Sequence, residues 1–503
     1  MAGLIVLCIV YPTLCIFTIM NVLRLQPVLA AGIFLVLLLT ACEQEELLKD
    51  PAARLAFSRD TISFDTIFTS IGSTTRQLKV FNRYRKTIRI SEIRLAGGES
   101  SPFRLNIDGV SGFRQNNLEI LPNDSMYIFV QVTIDPKNNN APVLVHDSIL
   151  FTTNGTVQDV DLVAWGQDMH LILADTVHES TLWTADKPYL IRYYLIVDSA
   201  QTLTVEQGTK IYMHRNAVLE VRGSLHTQGT FDQPVSIAGD RLEEDYSDIP
   251  GQWLALAFSP SSTDNLLEYT EIRNGVVLQI GRLEDPRSVP VTFRNCRILN
   301  MSFAGIYAFG ASISAENTIV ADAGTLLLGL FRGGTHHFYH CTLVNKGVIF
   351  YNRSAPSVIL SNYFTDQNKT EYAGDMKEAT FGNCIVWGNY ENELAVAFKT
   401  SSGAANYRFK NSIIRLDPSR LPVTDTSHFD SVWYSTAPAF RDADHWNFIP
   451  DSASFSNDKG SLSIASRVPF DFRGKNRLAD GKPDPGAFEW ISGDTTRRKS
   501  SHR

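Results

Sequence analysis

Ile128, Val130, Val132 and Ile134 alternate with Phe129, Gln131 and Thr133, the two-residue period of a strand with one buried face. Runs of similar length recur at 61–68, 77–82, 88–95, 103–107, 148–152 and 157–164. Turn formers separate them: Gly97-Gly98, Asp108-Gly109, Pro122-Asn123-Asp124 and Asn154-Gly155. Seven short strands in about 110 residues predict an antiparallel β-sandwich over 58–168.

From residue 169 the rhythm changes. Seven short segments superimpose when Thr270, Cys296, Asn317, Cys341, Ser361, Cys384 and Ser412 are taken as equivalent, with spacings of 26, 21, 24, 20, 23 and 28 residues. A small or polar residue at one phase and an aliphatic or aromatic one two positions later, repeated every 20-odd residues, means stacked coils. The predicted structure is a right-handed parallel β-helix over 169–420, its strands about 4.8 Å apart and equivalent side chains piled in interior columns. Roughly nine coils between Thr202 and Leu416 would make a rod on the order of 45 Å. Further coils and a cap are expected over 421–492, then a disordered tail at 493–503. The fold class is therefore all-β, a sandwich followed by a solenoid.

Two apolar runs open the chain, 4–20 and 28–39, and the second ends at Leu39-Thr40-Ala41-Cys42 before Glu43-Gln44-Glu45-Glu46. The second run is short for a membrane span, which needs about 20 residues, and has the build of a secretory signal. The whole arrangement resembles a bacterial lipoprotein signal. That resemblance implies that 1–41 is removed, with Met20 as an alternative start, and that Cys42 is acylated. Residues 42–57 then form a tether. A two-span hairpin anchor is the rival, and it leaves the residues around Cys42 unexplained.

The 503 residues carry a net charge of −7, which gives no reason to expect nucleic acid as a partner. Beyond Cys42 only Cys296, Cys341 and Cys384 remain, with no Cys-x-x-Cys pair, so a zinc site is not expected. Their common phase predicts buried, stacked thiols.

Short phrases carry a second resemblance. Phe64-Asp65-Thr66, Ser91-Glu92-Ile93-Arg94-Leu95 and Val163-Ala164-Trp165-Gly166 resemble immunoglobulin-like domains that precede β-helices in surface lipoproteins of Bacteroidetes-type bacteria. The opening coils, 203–211, 219–225 and 229–235, resemble pectate-lyase-like β-helix proteins. Pro483-Asp484-Pro485-Gly486-Ala487-Phe488-Glu489 resembles the closing segment of such proteins, which makes Arg473, Asp484 and Glu489 cap residues. The resemblance implies an outer-membrane, lipid-anchored protein displayed on the extracellular face.

Chemistry is harder to read. The Asn-Thr-Asp, Asp-Asp and Gly-His-Gly phrases expected of β-helix hydrolases are absent from the sequence. A lyase would gather carboxylates for calcium, yet the acids of the middle coils, Glu316, Asp322, Asp366, Glu371 and Asp375, are scattered. His336, His337 and His340 follow Arg332; His337 as base and Arg332 as anion clamp are the catalytic candidates, with packing as the plainer account. In a strand, His336 and His340 would share one face. Trp253 is the candidate for stacking on a sugar, although a corner-packing role suits it as well. The charged excursions 241–249 and 281–290 are where binding surfaces usually sit. The expectation is a surface lipoprotein that binds carbohydrate or a host surface without catalysis and without cofactor or metal. A polysaccharide lyase or hydrolase, or a plain envelope spacer, is the alternative.

Overall fold

The computed structural model describes residues 46–493. Cys42 and the apolar runs before it lie outside the described residues. The chain divides into two compact units.

The first unit is built on two five-stranded sheets. One runs Ala56–Phe57, Arg76–Phe81, Ser125–Val132, Phe103–Ile107 and Val110–Gly112, and the other Thr61–Phe68, Thr156–Gln167, Val143–Thr153, Ile88–Leu95 and Arg114–Ile120. Met126, Ile128, Val130 and Val132 point into the core while Tyr127, Phe129 and Gln131 face out, as the alternation requires. This is the expected sandwich, but it starts earlier: Ala56–Phe57 pairs into the first sheet and Ala53 and Leu55 are buried, where a free tether over 42–57 was expected.

The second unit is a parallel β-helix with three tracks of strands. The first track is a ten-stranded parallel sheet that includes Pro290–Arg294, Ser312–Glu316, Gly334–Tyr339, Met376–Gly382, Ala405–Lys410 and Phe429–Asp430. The second and third tracks form one eighteen-stranded sheet. The second includes Thr270–Arg273, Arg297–Met301, Ile319–Ala323, Thr342–Asn345 and Ile385–Gly388; the third includes Val218–Val221, Trp253–Phe258, Gly275–Ile280, Ala304–Phe309, Leu326–Phe331 and Val358–Ser361. Parallel pairing begins at His170 and continues to Tyr434, within the stretch expected to hold further coils.

The register places Thr270, Cys296, Thr318, Cys341, Cys384 and Ser412 in one buried column. The three cysteines are free thiols. Two of the expected members are corrected. Asn317 stands one position early, and Ser361 belongs to the third track, paired with Ala397. The shift has a conformational cause. Asn295, Asn317, His340, Asn383 and Asn411 all adopt φ between 47° and 53°, the left-handed conformation that asparagine tolerates best. They turn the chain from the first track into the second, and each N–H still donates to the next coil, Asn295 to Glu316 O at 3.0 Å and Asn383 to Lys410 O at 2.9 Å. His340 therefore sits at a corner and not in a strand beside His336.

Inside the first track Phe338, Phe381, Phe409 and Phe429 stack. The centroids are 4.7, 4.6 and 5.7 Å apart and the rings within 13° of parallel. Each such pair adds about 0.5–1.5 kcal/mol beyond burial.

The closing segment runs along the flank of the coils. Ile298, Val320 and Leu343 point inward, so their neighbours Leu299, Ile319, Ala321 and Val344 point out of the second track. These are nevertheless buried, under Phe448, Ile449, Phe472, Ala487 and Phe488. Ala487 N–H donates to Thr342 Oγ1 at 2.9 Å, and Asn317 Nδ2 donates to Phe470 O at 2.9 Å. The segment expected to cap the rod is a lateral clasp.

Candidate functional site

The outer face of the third track combines rings with charge. Its register runs Glu220, Ala257, Gln279 and Tyr307 down one column, and Tyr194, Val218, Ala255 and Val277 down the next. Exposed Tyr194 and the half-buried Tyr307 ring stand at the two ends of these columns. Tyr307 packs edge-on against Phe303 (5.2 Å), Phe309 (4.9 Å) and Phe331 (5.4 Å). Phe303 remains 36% exposed. Leu283 and Phe364 close one side of this cluster, brought there by the 281–290 excursion and by the hairpin of Tyr363–Thr365 with Glu371–Ala373.

Arg332 holds that excursion in place. Its Nη1 donates to the carbonyls of Arg282 (3.3 Å), Leu283 (2.7 Å) and Asp285 (2.8 Å). The guanidinium is a staple rather than a clamp for an anion, and it follows a third-track strand while His337 lies on the first track. The structure does not bring the two catalytic candidates together. His337 Nδ1 is instead 3.6 Å from Glu378, with its ring parallel to Tyr339 at 6.2 Å.

The other two histidines of this run, His336 and His340, are interior. Burial pushes His336 down to about 4, and its Nε2 meets Gly333 O at 3.2 Å. Burial first, and the charge of Arg477 second, hold His340 neutral. In that tautomer Nδ1 donates to Asp484 O at 3.1 Å and Nε2 accepts from Asn383 at 3.0 Å. Trp253 is also corrected as a sugar platform. Its indole is buried against Gly275, with Nε1 donating to Arg273 O at 2.9 Å.

Glu220 is the polar centre of this face. Its carboxylate accepts from Ser259 Oγ at 2.6 Å, Arg222 at 3.0 and 3.2 Å, and Arg282 at 3.0 Å. Burial works to raise its pKa, but the bonds from Arg222 and Ser259 and the charges of both arginines outweigh that and hold it below the usual range. The scattered acids are engaged locally. Asp322 accepts from Lys346 N–H and Trp446 Nε1, Asp375 from Ala404 N–H, and Asp366 from Thr370 N–H. Among the described residues no three His, Cys, Asp or Glu side chains converge as metal ligands do.

A separate hollow of about 500 Å³ opens at the first coil beside His170, Asp175, His178, Glu179, Trp183 and Tyr189. Trp183 and Tyr189 stack on each other at 4.0 Å and are buried, so they offer a ligand edges and not faces.

Sequence reasoning missed Arg477. It is fully buried under the clasp, 3.1 Å from Glu489 and bonded to Asn317 Oδ1 (2.9 Å) and Gly486 O (3.0 Å). Beside it Arg473 bonds Asp471 at 3.2 Å and Glu489 O at 2.6 Å. These groups, with Asp484, are internal cross-links of the clasp. The only local cue was the crowding of opposite charges between 471 and 489.

A sandwich joined to a parallel β-helix is thus the class of protein the fold defines. Neither a family model nor a curated protein matches the chain. Among solved structures, a family 123 glycoside hydrolase from Clostridium perfringens is 8% identical over 24% of this chain and 26% of its own, with a TM-score of 0.17. A PapD-like domain of human CEP192 is 8% identical over 25% and 97%, also at 0.17. The catalytic domain of a GH87 alpha-1,3-glucanase in complex with nigerose is 8% identical over 66% and 90%, at 0.13. The chain spans about a quarter of the first of these. Likenesses so remote carry no argument about activity.

Proposed function

We propose that this protein binds carbohydrate along the outer face of the third track without catalysis, as an outer-membrane lipoprotein anchored through Cys42 and displayed outward. The observation that carries the binding reading is this face, with exposed Tyr194 and Phe303 and half-buried Tyr307 on the same track as the polar group of Glu220, Arg222, Arg282 and Gln279. Sugar rings present C–H faces that pack on aromatic rings and hydroxyls that pair with fixed polar groups.

An acid and two arginines converge here, an arrangement that would also suit an enzyme. The difference lies in the carboxylate. A general acid or base must exchange a proton near the working pH, and Glu220 is held ionised with its oxygens already paired. It can orient a hydroxyl but is badly placed to shuttle a proton.

The test is a glycan array probed with detergent-solubilised full-length protein, followed by a reducing-end assay on every glycan retained. Retention without new reducing ends is expected, and turnover of any retained glycan would overturn the reading. Anchoring is tested separately. Wild-type cells fed labelled palmitate should yield labelled, membrane-bound protein, and Cys42→Ala should lose the label and appear in the soluble fraction; an unlabelled wild type sinks the anchor.

A further inference from the structure

The excursion between Thr342–Asn345 and Val358–Ser361 ends in three apolar residues held out in water. Ile349 is 51% exposed, Phe350 83% and Tyr351 44%. A bridge between Val348 and Tyr351 closes the turn, and Phe350 takes φ of 73°, a conformation costly for a bulky L-residue. The base beneath it is stiff. Arg353 makes a bidentate pair with Glu393 at 2.6 Å through both nitrogens, and both side chains are almost wholly buried. Glu393 also accepts from Tyr390 N–H (2.9 Å) and Ser357 N–H (3.3 Å), and Asn345 Oδ1 receives Gly347 N–H at 3.0 Å. A strained backbone and a buried ion pair thus hold a turn whose apolar side chains bury little themselves. A relaxed turn with polar residues would connect the same strands at lower cost.

The position of the tip points to its use. The Tyr351 ring lies against Gly324, where an added Cβ would come within 3.1 Å of it. Gly324 is one coil beyond Ser302-Phe303, and Thr325 N–H donates to Phe303 O at 2.9 Å. The tip is therefore continuous with the exposed Phe303 and the Tyr307 ring beyond it.

We propose that Phe350 and Tyr351 form the ring-stacking subsite of the carbohydrate surface, with Phe350 as the residue that grips a pyranose from beside the third-track face. This rests on the reading of the third-track face as a glycan binder. A rigid, preformed aromatic tip loses little conformational freedom on binding, which is how such a contact gains affinity.

The experiment uses full-length wild type and Phe350→Ala against a glycan retained on the array, measured by calorimetry, with thermal unfolding. Phe350→Ala is expected to weaken glycan binding about tenfold, the loss of one stacked ring, at an unchanged melting temperature; Phe350→Trp should restore it. Equal glycan affinity in wild type and Phe350→Ala overturns the subsite and leaves the third-track reading standing. If wild type retains no glycan, the third-track reading fails and the subsite with it.

Discussion

Replacing Arg477 with alanine should destabilise the protein by roughly 3–5 kcal/mol, the scale of removing one partner from a buried ion pair. The side chain has no exposed surface and donates to Glu489, Asn317 and the carbonyls of Gly486 and Asp484. Around it Asp471, Asp484 and Glu489 are buried as well, with Arg473 as the second cation of the cluster. Two guanidiniums face three carboxyls, so full ionisation would leave one negative charge in excess; with Arg477 gone the ratio is one to three. The clasp should then lift from the flank and expose Leu299, Ile319, Ala321 and Val344. Urea unfolding would show a lower midpoint and, with it, binding of a hydrophobic dye before the main transition. A midpoint equal to wild type would mean that the cluster does not hold the clasp.

The same excess charge should make stability fall with rising pH. Burial pushes Glu489 up to about 8, the charge of Asp484 adds to that, and Arg477 opposes it. Burial likewise pushes Asp484 up to about 6. Both folded-state values lie above the ordinary 4.5 and 3.8, so the folded clasp keeps protons that the unfolded chain releases. Their contribution is complete below about pH 4 and is lost as pH climbs through about 6 to about 8. Urea midpoints at pH 5 and pH 9 should therefore differ more in wild type than in Glu489→Gln, which has no proton to lose there. Equal differences in the two proteins would show that Glu489 does not carry the effect.

The coil period was legible because parallel stacking repeats one residue environment at each turn. Cys296, Cys341 and Cys384 at one phase were sufficient to place the interior column. The errors came where backbone conformation, invisible to a hydrophobic pattern, decides the register. Asn317 and Thr318 are both polar, and only the left-handed corner tells them apart. Ser361 follows Ile359-Leu360 much as Ser412 precedes Ile413-Ile414, so composition alone aligned it with the wrong track. Arg332 and His337 are five residues apart in sequence, yet the corner at Arg332 and the following glycines send them to different tracks. The polar group on the third track was less legible still. Glu220, Ser259 and Arg282 belong to three coils, and nothing in the local sequence of any one announces the other two. Arg477 meets Asn317 across 160 positions, a distance over which no periodicity speaks.

The clasp also bears on how such a chain reaches its finished form. Residues 440–490 come after every coil in chain order, yet they shield a flank whose strands belong to the middle of the solenoid. While the polypeptide is being delivered N-terminus first, that greasy stripe stays uncovered through the arrival of well over a hundred further residues. Any stall in delivery before Phe472 would leave a rod with its seam unsewn, ready to adhere to a neighbour in the same condition.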